Sequence, residues 1–271
     1  MIRQSDGFED PGDDCVKVRV HGVSGTVLLD RSPRKNAISR RMLAQVHQAF
    51  GDLHQEKKVR AVILTGKGEA FSAGMDLAEI SPRFDDPESQ AIWHADCLAQ
   101  RELIELMLRF PKPIIAAVNG PALGFAAALV LASDMAVGCA KGTFGFPETQ
   151  RGLVPGLGAP LLAFRVGAAA AADLLLRGEV ATAEDCHRLG IYRWLVDDDL
   201  VWAKADEVAR DLTRTSPTAV SMTKRLINET VGEQLFTQLT AGAAATAAAR
   251  TTEAAAEGVA AFLEKREPKW P

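Results

Sequence analysis

The sequence has few cysteines, and their positions argue against a disulfide framework. Only four occur in 271 residues, widely separated and without a Cys-x-x-Cys pair, at Cys15, Cys97, Cys139 and Cys186. Disulfide-stapled proteins have denser cysteines, whereas scattered thiols are typical of proteins kept in a reducing compartment. The pattern predicts free thiols with a structural role and a cytoplasmic location.

Long apolar runs, basic clusters and a secretion signal are also missing. The longer apolar stretches, residues 125–132 and 166–172, fall well short of the ~20 residues that a helix needs to cross a bilayer. The net charge of −4 is mild, and no basic stripe with interleaved aromatic residues occurs. The first ten residues are acidic and have no apolar signal core. We therefore expect no membrane partner, no nucleic-acid partner and no secretion.

The five histidines lack the spacing of a metal site. None has cysteine or carboxylate partners at the intervals that zinc sites use, although His47 and His54 could share one face of a helix. We read both as surface residues, and no metal is expected.

Hydrophobic periodicity divides the chain into an α/β part and a helical tail. Alternating or continuous apolar residues predict strands at 16–20, 26–29, 59–65 and 114–118. Helical spacing predicts helices around residues 43–53, before Pro111, and at 201–213, 217–231 and 239–265. The resulting organisation is a flexible segment at 1–15, a core at 16–200 and a helical region at 201–271. Periodicity alone supports only a general α/β class.

Two glycine-rich turns are the most informative segments. The strand at 114–118 runs into residues 119–128 (NGPALGFAAA), where a helix is predicted from 122 to 132. The strand at 59–65 runs in the same way into residues 71–77 (FSAGMDL). A helix start leaves N–H groups unpaired and can hold an anion or a developing oxyanion. Two backbone donors from separate turns are what an oxyanion hole requires.

The two turns, in this order and spacing, resemble the signature segments of the enoyl-CoA hydratase/isomerase (crotonase) family. The resemblance continues through residues 144–149 (FGFPET), 152–158 (GLVPGLG), 177–184 (RGEVATAE) and 257–266 (EGVAAFLEKR), and so covers the chain from about residue 16 onward. It implies a superhelix of strand-strand-helix units with a C-terminal helical region. It also implies a homotrimer or dimer of trimers assembled through that region, an acyl-CoA substrate, and no cofactor beyond the CoA of the thioester.

The resemblance assigns the catalytic groups position by position. The backbone N–H groups of Met75 and Phe125, each after a glycine, Gly74 and Gly124, match the two oxyanion donors that bind the thioester carbonyl. Glu148 matches the catalytic glutamate, which moves a proton if burial raises its pKa toward working pH. Asp76 is expected to bond the backbone of its turn and cap the next helix.

One departure from the family pattern decides between activities. Hydratases usually carry a second glutamate one helical turn after the second oxyanion donor, whereas this chain has Ala128 there. A single base suffices to move a double bond, so the residues favour an enoyl-CoA isomerase. A hydratase with a substitute acid and a catalytically weak acyl-CoA-binding protein are the alternatives. His94 and Asp96 are considered as substitutes, but we expect both on the solvated side of their helix.

CoA recognition is the least complete part of the resemblance. Phe262 and Lys265 match positions at which a neighbouring subunit's tail meets the adenine end of CoA, where a lysine pairs with phosphate. Arg34 or Lys35 lies within one residue of another family contact. Glu69 and Ala78 stand where some members have lysine, which implies weaker or differently distributed phosphate contacts.

Overall fold

The computed structural model describes residues 14–80 and 87–271, in which one twisted sheet forms the centre of the core. Its strand order is β1-β2-β3-β4-β6-β9, with β1 antiparallel to β2 and every other pair parallel. The strands are β1 (Val16–His21), β2 (Ser24–Leu29), β3 (Ala61–Gly66), β4 (Ile114–Val118), β6 (Met135–Gly138) and β9 (Trp194–Leu195). Every residue of β3 and β4 is buried, as expected of parallel strands covered on both faces.

A second, smaller sheet is formed by short strands that follow strands of the central sheet in the chain. It contains β5 (Ala122–Leu123), β7 (Phe144–Gly145) and β8 (Val180–Ala181). Isolated bridges join Ser72 to Ala122 and Ile38 to Met75. Each turn of the chain therefore passes through a central strand, a short outer strand or bridge, and a helix. This repeat confirms the predicted superhelix of strand-strand-helix units.

Helices surround the two sheets and continue alone after β9. They are α1 (Arg40–Gln55), α2 (Leu77–Ile80), α3 (Pro87–Arg109), α4 (Phe125–Ala132), α5 (Gly158–Val166), α6 (Ala168–Arg177), α7 (Ala183–Arg188), α8 (Val201–Asp211), α9 (Pro217–Arg225), α10 (Glu233–Ala249) and α11 (Glu253–Glu264). Helix α1 shows why the apolar spacing succeeded as a predictor. Its Leu43, Val46, Phe50 and Leu53 are buried on one face, and the Ser39 side chain caps its first turn.

Two predicted helices have different bounds in the structure. Residues 122 and 123 form strand β5, because Ala122 pairs with Phe144 in the small sheet before α4 begins at Phe125. The single helix predicted at 239–265 is two helices, α10 and α11. The break occurs because the Thr252 side chain accepts a hydrogen bond from Ala255 N and starts a new helix. The predicted helices after residue 200 are otherwise confirmed.

The predicted boundary between a flexible segment at 1–15 and a core that begins at residue 16 also needs correction. Residues 1–13 of the segment expected to be flexible lie outside the described residues. Cys15, however, is buried, and its carbonyl accepts a hydrogen bond from Asp30 N. The core therefore begins before Val16, because Cys15 continues the edge of the sheet. No disulfide joins the four cysteines, and all four are buried.

The helical tail folds back over the loops that follow the central strands. Helix α10 packs along α3, and α11 packs on the turn after Glu148, with Ala255 and Val259 against Leu153. The approach is close, because a Cβ at Gly258 would lie 2.3 Å from the Arg151 carbonyl carbon. Among the described residues, no helix is both long enough and apolar enough to span a membrane.

Candidate active site

Two glycine turns bring a pair of unpaired backbone N–H groups together. Gly74 and Gly124 have φ of +89° and +56°, a region that glycine adopts without steric cost. The N–H groups of the next residues, Met75 and Phe125, have no acceptor among the described residues. A Cβ built on Gly74 would lie 3.4 Å from Phe125 N, so the two turns are in contact. Such a pair of donors can bind an oxygen that becomes negative during a reaction.

A network of buried polar groups holds the first turn in place. Arg31 Nη1 donates to Asp76 Oδ2 at 2.6 Å, and Asp76 Oδ1 accepts from Ala78 N at 3.1 Å. The predicted capping role of Asp76 is confirmed. Asn36 Nδ2 donates to the carbonyls of Lys67 and Ala70 at 2.9 and 2.8 Å. These bonds fix the loop before α2, so that the Met75 N–H is held in one orientation.

The Glu148 carboxylate lies directly beside the second turn. A Cβ at Gly124 would be only 3.0 Å from Glu148 Oε1, so a side chain there would press on the carboxylate. Glu148 Oε2 is inaccessible to solvent and makes no hydrogen bond within the described part of the chain. Burial raises the pKa of this carboxyl from 4.5 to about 7, against smaller opposing effects of its own backbone N–H and of Arg151. The group can both take and return a proton near neutral pH.

These groups open into one cavity of about 490 Å³. The cavity includes eight of the nine predicted catalytic or substrate-binding residues: Arg34, Lys35, Gly74, Met75, Gly124, Phe125, Glu148 and Phe262. Lys265 is absent from its lining and ends α11 as an exposed cap with φ of +56°. Ala128 lies in the cavity wall and is 1% exposed.

The lining contains two acidic side chains, Asp76 and Glu148. Asp76 has both oxygens engaged, by Arg31 and by Ala78 N. Among the described lining residues, Glu148 is therefore the one acid with an oxygen that lacks a partner. Within the described part of the chain, this distribution leaves a single carboxylate available for chemistry in the cavity.

Exposed lining residues mark the mouth of the cavity. Arg34 and Lys35 are exposed there, next to the first glycine turn, to which they are tied by the bond from Ala73 N to the Lys35 carbonyl. Phe262 is 48% exposed, and the Arg151 guanidinium carbon lies 4.5 Å from the centre of its ring. Phe262 thus reaches the cavity of its own chain. Cationic groups and an aromatic ring at one opening suit a ligand with phosphate groups and a planar base.

The expectation for Asp96 is wrong, whereas that for His94 is confirmed. His94 is exposed on α3. Asp96 is 8% exposed, because Arg40 Nε and Nη2 donate to its two oxygens at 2.7 and 2.9 Å. The helix face that carries Asp96 is covered by α1 and by the start of the α10–α11 connection. Asp96 is absent from the cavity lining, so it lies behind the wall.

Three further lining residues were missed from the sequence. Arg151 lies beside Glu148, and Gln100 and Arg250 are buried polar residues in the wall. Gln100 is buried on α3, although a glutamine is more often exposed. Arg250 is a lone charge at the end of an alanine-rich helix, followed by the Thr-Thr-Glu of a helix start. That combination is the signal that could have singled it out.

Nothing in the described part of the chain forms a metal site, since no three His, Cys, Asp or Glu side chains come together there. The polar groups of the cavity are instead arranged around one carboxylate and two backbone donors. Such a site can perform proton transfer next to a carbonyl whose oxygen is held by hydrogen bonds.

Comparison with known proteins gives a consistent result over nearly the whole chain. The sequence model of the family described as Enoyl-CoA hydratase/isomerase matches residues 22–271. The 1,2-epoxyphenylacetyl-CoA isomerase of Escherichia coli K12 is 32% identical over 248 residues, which are 90% of this chain and 94% of that protein. The short-chain-enoyl-CoA hydratase of Clostridium acetobutylicum is 29% identical, covering 90% of this chain and 93% of that protein.

Solved structures agree with the sequence comparison. The crystal structure of an enoyl-CoA hydratase/isomerase from Xanthobacter autotrophicus Py2 superposes with a TM-score of 0.83 and is 30% identical. The match covers 93% of this chain and 92% of that chain. The two folds therefore correspond from the central sheet to the helical tail.

Proposed function

Because the chain belongs to the enoyl-CoA hydratase/isomerase family, we propose that it shifts the double bond of an enoyl-CoA thioester with Glu148 as its single base. The chain is an enzyme of the hydratase/isomerase type, as its relatives are. The finer choice of isomerase rests on one observation. Of the lining residues that the structure describes, Glu148 is the one acid with an unengaged carboxylate oxygen, and Ala128 lies in the wall where the family resemblance places the second glutamate of a hydratase.

The proposed reaction uses the two backbone donors and the carboxylate together. The carbonyl oxygen of a 3-enoyl thioester accepts hydrogen bonds from the N–H groups of Met75 and Phe125. Glu148 removes a proton from C2, and the electron pair of that C–H bond moves into a dienolate whose charge is largely on the held oxygen. Glu148 then returns the proton to C4, and the double bond lies between C2 and C3. The proton is conserved, and no water, oxidant or cofactor is consumed.

The raised pKa of Glu148 suits this cycle. A base that must accept a proton and then release it works best when its pKa is close to the working pH. Burial raises the pKa of the carboxyl to about 7, so both forms are populated near neutrality. An ordinary surface glutamate would hold its proton too weakly to return it.

Hydration is the second candidate, because one of the relatives is named a short-chain-enoyl-CoA hydratase. Addition of water needs a second group to position the nucleophile. Asp76 is the other acid in the cavity lining, and its oxygens are taken by Arg31 and the Ala78 N–H. This engagement favours isomerisation over hydration. A catalytically weak acyl-CoA-binding role is disfavoured by the raised pKa of Glu148, which has no use in binding alone.

The proposal also names the residues that bind CoA and the region through which subunits assemble. We assign the CoA phosphates to Arg34 and Lys35 and the adenine to Phe262, because these cations and this exposed ring line the cavity mouth. Lys265, outside the lining, is assigned to a CoA phosphate on the family resemblance alone. Homotrimers, or dimers of trimers, would form through the helical region, where Met222, Leu226 and Ile227 expose apolar side chains. Four buried cysteines with no disulfide between them suit a cytoplasmic location.

Product analysis with two substrates tests the proposal. Incubation with a 3-enoyl-CoA should give the 2-enoyl-CoA, and incubation with a 2-enoyl-CoA should give little 3-hydroxyacyl-CoA. Glu148→Gln should lower isomerisation by about 10² to 10⁴-fold, the range for removing a general acid–base group. Glu207→Gln is the matched control, since Glu207 is 54% exposed on α8. Efficient hydration that survives Glu148→Gln would contradict both the activity and the base.

A further inference from the structure

Two buried polar side chains in the cavity wall have donor atoms without hydrogen-bond partners among the described residues. Gln100 and Arg250 are 4% and 3% exposed, and both line the cavity. Gln100 Nε2 and Arg250 Nε and Nη1 make no hydrogen bond within the described residues. Leaving a buried donor unpaired costs about 1–3 kcal/mol, and more when the group is charged. Such groups in a ligand cavity point to a ligand that pairs with them.

The charge of Arg250 is only partly balanced by the protein. Among the described residues it pairs with one acid, Asp96, whose Oδ2 lies 3.7 Å from Arg250 Nη1, beyond hydrogen-bond distance. Asp96 is already paired with Arg40, which donates to both of its oxygens at 2.7 and 2.9 Å. One aspartate therefore faces two arginines. Arg40 also pairs with Glu79, whose Oε2 lies 4.0 Å from Arg40 Nη1, whereas Arg250 has no hydrogen-bonded acid among the described residues.

The position of the two side chains fits an acyl group rather than CoA. The exposed lining residues at the mouth include Arg34, Lys35 and Phe262, which are the groups assigned to CoA. Gln100 and Arg250 are the buried lining residues contributed by α3 and by the end of α10. Arginine donates and cannot accept hydrogen bonds, so its partner must be an acceptor. A carboxylate meets both requirements, since it accepts two hydrogen bonds from a guanidinium and balances its charge.

We propose that the substrate is the CoA monothioester of an unsaturated dicarboxylic acid, whose free carboxylate binds Arg250 and Gln100. This inference rests on the proposed function, because it names the substrate class of the same site. Arg250 and Gln100 act as specificity residues that receive the free carboxylate of the acyl group, whereas Glu148 rearranges its double bond. A site built to pair with a polar substituent rejects an analogue that lacks it, because its own buried groups are then left unpaired. A substrate with a plain alkyl chain would leave the buried donors of Arg250 unpaired.

Calorimetry with matched thioesters tests the inference without any change to the protein. The probes are saturated acyl-CoA esters in a series of chain lengths, each ending in a carboxylate, in the methyl ester of that carboxylate, or in a methyl group. At one or more lengths the carboxylate should bind at least about tenfold more tightly than the methyl-terminated ester, the value of one charge-assisted hydrogen bond. The neutral methyl ester should bind with intermediate affinity.

Variants connect the preference to the named residues. The quantity to compare is the affinity for the carboxylate-terminated ester divided by that for the methyl-terminated ester. Arg250→Met should reduce this ratio to about one, and Arg250→Lys should retain part of the preference because the charge remains. Gln100→Leu removes a donor without changing charge and should lower the ratio severalfold, which keeps the test open if Arg250→Met fails to fold. Arg214→Gln is the control, because Arg214 is 84% exposed on another surface. It should leave the ratio unchanged.

The outcomes separate this inference from the proposed function. If methyl-terminated esters bind and are isomerised while carboxylates bind no better at any length, the dicarboxylate assignment is wrong and the isomerase proposal stands. A preference for the methyl ester over the carboxylate would mean that a neutral acceptor is recognised, and it would also overturn the assignment. If no CoA ester binds, both proposals fail together. A carboxylate preference unaffected by Arg250→Met and Gln100→Leu would place recognition elsewhere.

Discussion

Replacing Glu148 with glutamine should stabilise the folded protein at alkaline pH and have little effect in acid. The folded-state pKa of Glu148 is raised above that of the unfolded chain, from 4.5 to about 7. Between these values the folded state binds more protons, so its free energy of unfolding falls as the pH rises through this window. Below about pH 4.5 both states are protonated and the penalty is absent. Glutamine has nearly the same shape and never ionises.

The size of the effect follows from the two pKa values. Their difference, multiplied by about 1.4 kcal/mol per pKa unit, gives about 3 kcal/mol for holding the ionised carboxylate in the fold. This figure is an upper bound, because the cavity admits water around the charge. We expect a gain of about 1–3 kcal/mol above about pH 8 and close to none near pH 4.5. Urea unfolding of both proteins over this range measures it, since the free energy of unfolding extrapolates linearly to water.

An exposed glutamate provides the control for the stability measurement. Glu207→Gln removes an exposed glutamate on α8 and should change stability by less than about 0.5 kcal/mol at either pH. A destabilised Glu148→Gln protein at alkaline pH, or an equal effect at both pH values, would show that Glu148 is not a buried carboxyl with a raised pKa. The same variant should lose isomerase activity, so the fold is weakened by the group that the chemistry needs.

Two further predictions concern the same groups. The acid limb of kcat/KM against pH should have a midpoint near 7, because the free enzyme loses its base as the pH falls through the pKa of Glu148; a midpoint near 4.5 would mean an unperturbed glutamate. Phe125→Pro should lower kcat by about 10²–10³-fold through loss of one oxyanion donor, whereas Phe125→Leu, which keeps the N–H, should retain most activity. Proline is tolerated at the first position of a helix, which is where Phe125 lies, so circular dichroism should show that the Phe125→Pro variant is folded. A folded Phe125→Pro variant with normal turnover would exclude this N–H from the oxyanion hole.

Local patterns were sufficient for four strands of the central sheet, β1 to β4, and for the turns of the site, but not for β6 and β9. The apolar run at Ile114–Val118 predicts β4 with the observed bounds, because a buried parallel strand needs a continuous apolar sequence. The spacing of Leu43 and Phe50 predicts the buried face of α1 for the same kind of reason. The glycine turns are visible because positive φ at Gly74 and Gly124 suits glycine.

Groups that depend on distant partners could not be predicted in this way. Asp96 looks like a solvated helix residue until Arg40, 56 residues earlier, is placed against it. Strand β5 is too short to have a pattern of its own and exists because Ala122 meets Phe144 in the small sheet. The burial of Gln100 and Arg250 depends on how α3 and α10 close the cavity. These features come from packing between segments, on which periodicity has no information.

The place of α11 in the chain sets when the pocket is completed during synthesis. Phe262 and Leu263 follow every other cavity-lining residue, and Gly258 lies against the backbone of Arg151. While the ribosome still holds residues 253–264, the nascent chain already has its glutamate and both glycine turns but lacks this wall. A chain released before these residues would therefore lack one wall of the cavity and leave Leu153, which packs on Ala255 and Val259, uncovered.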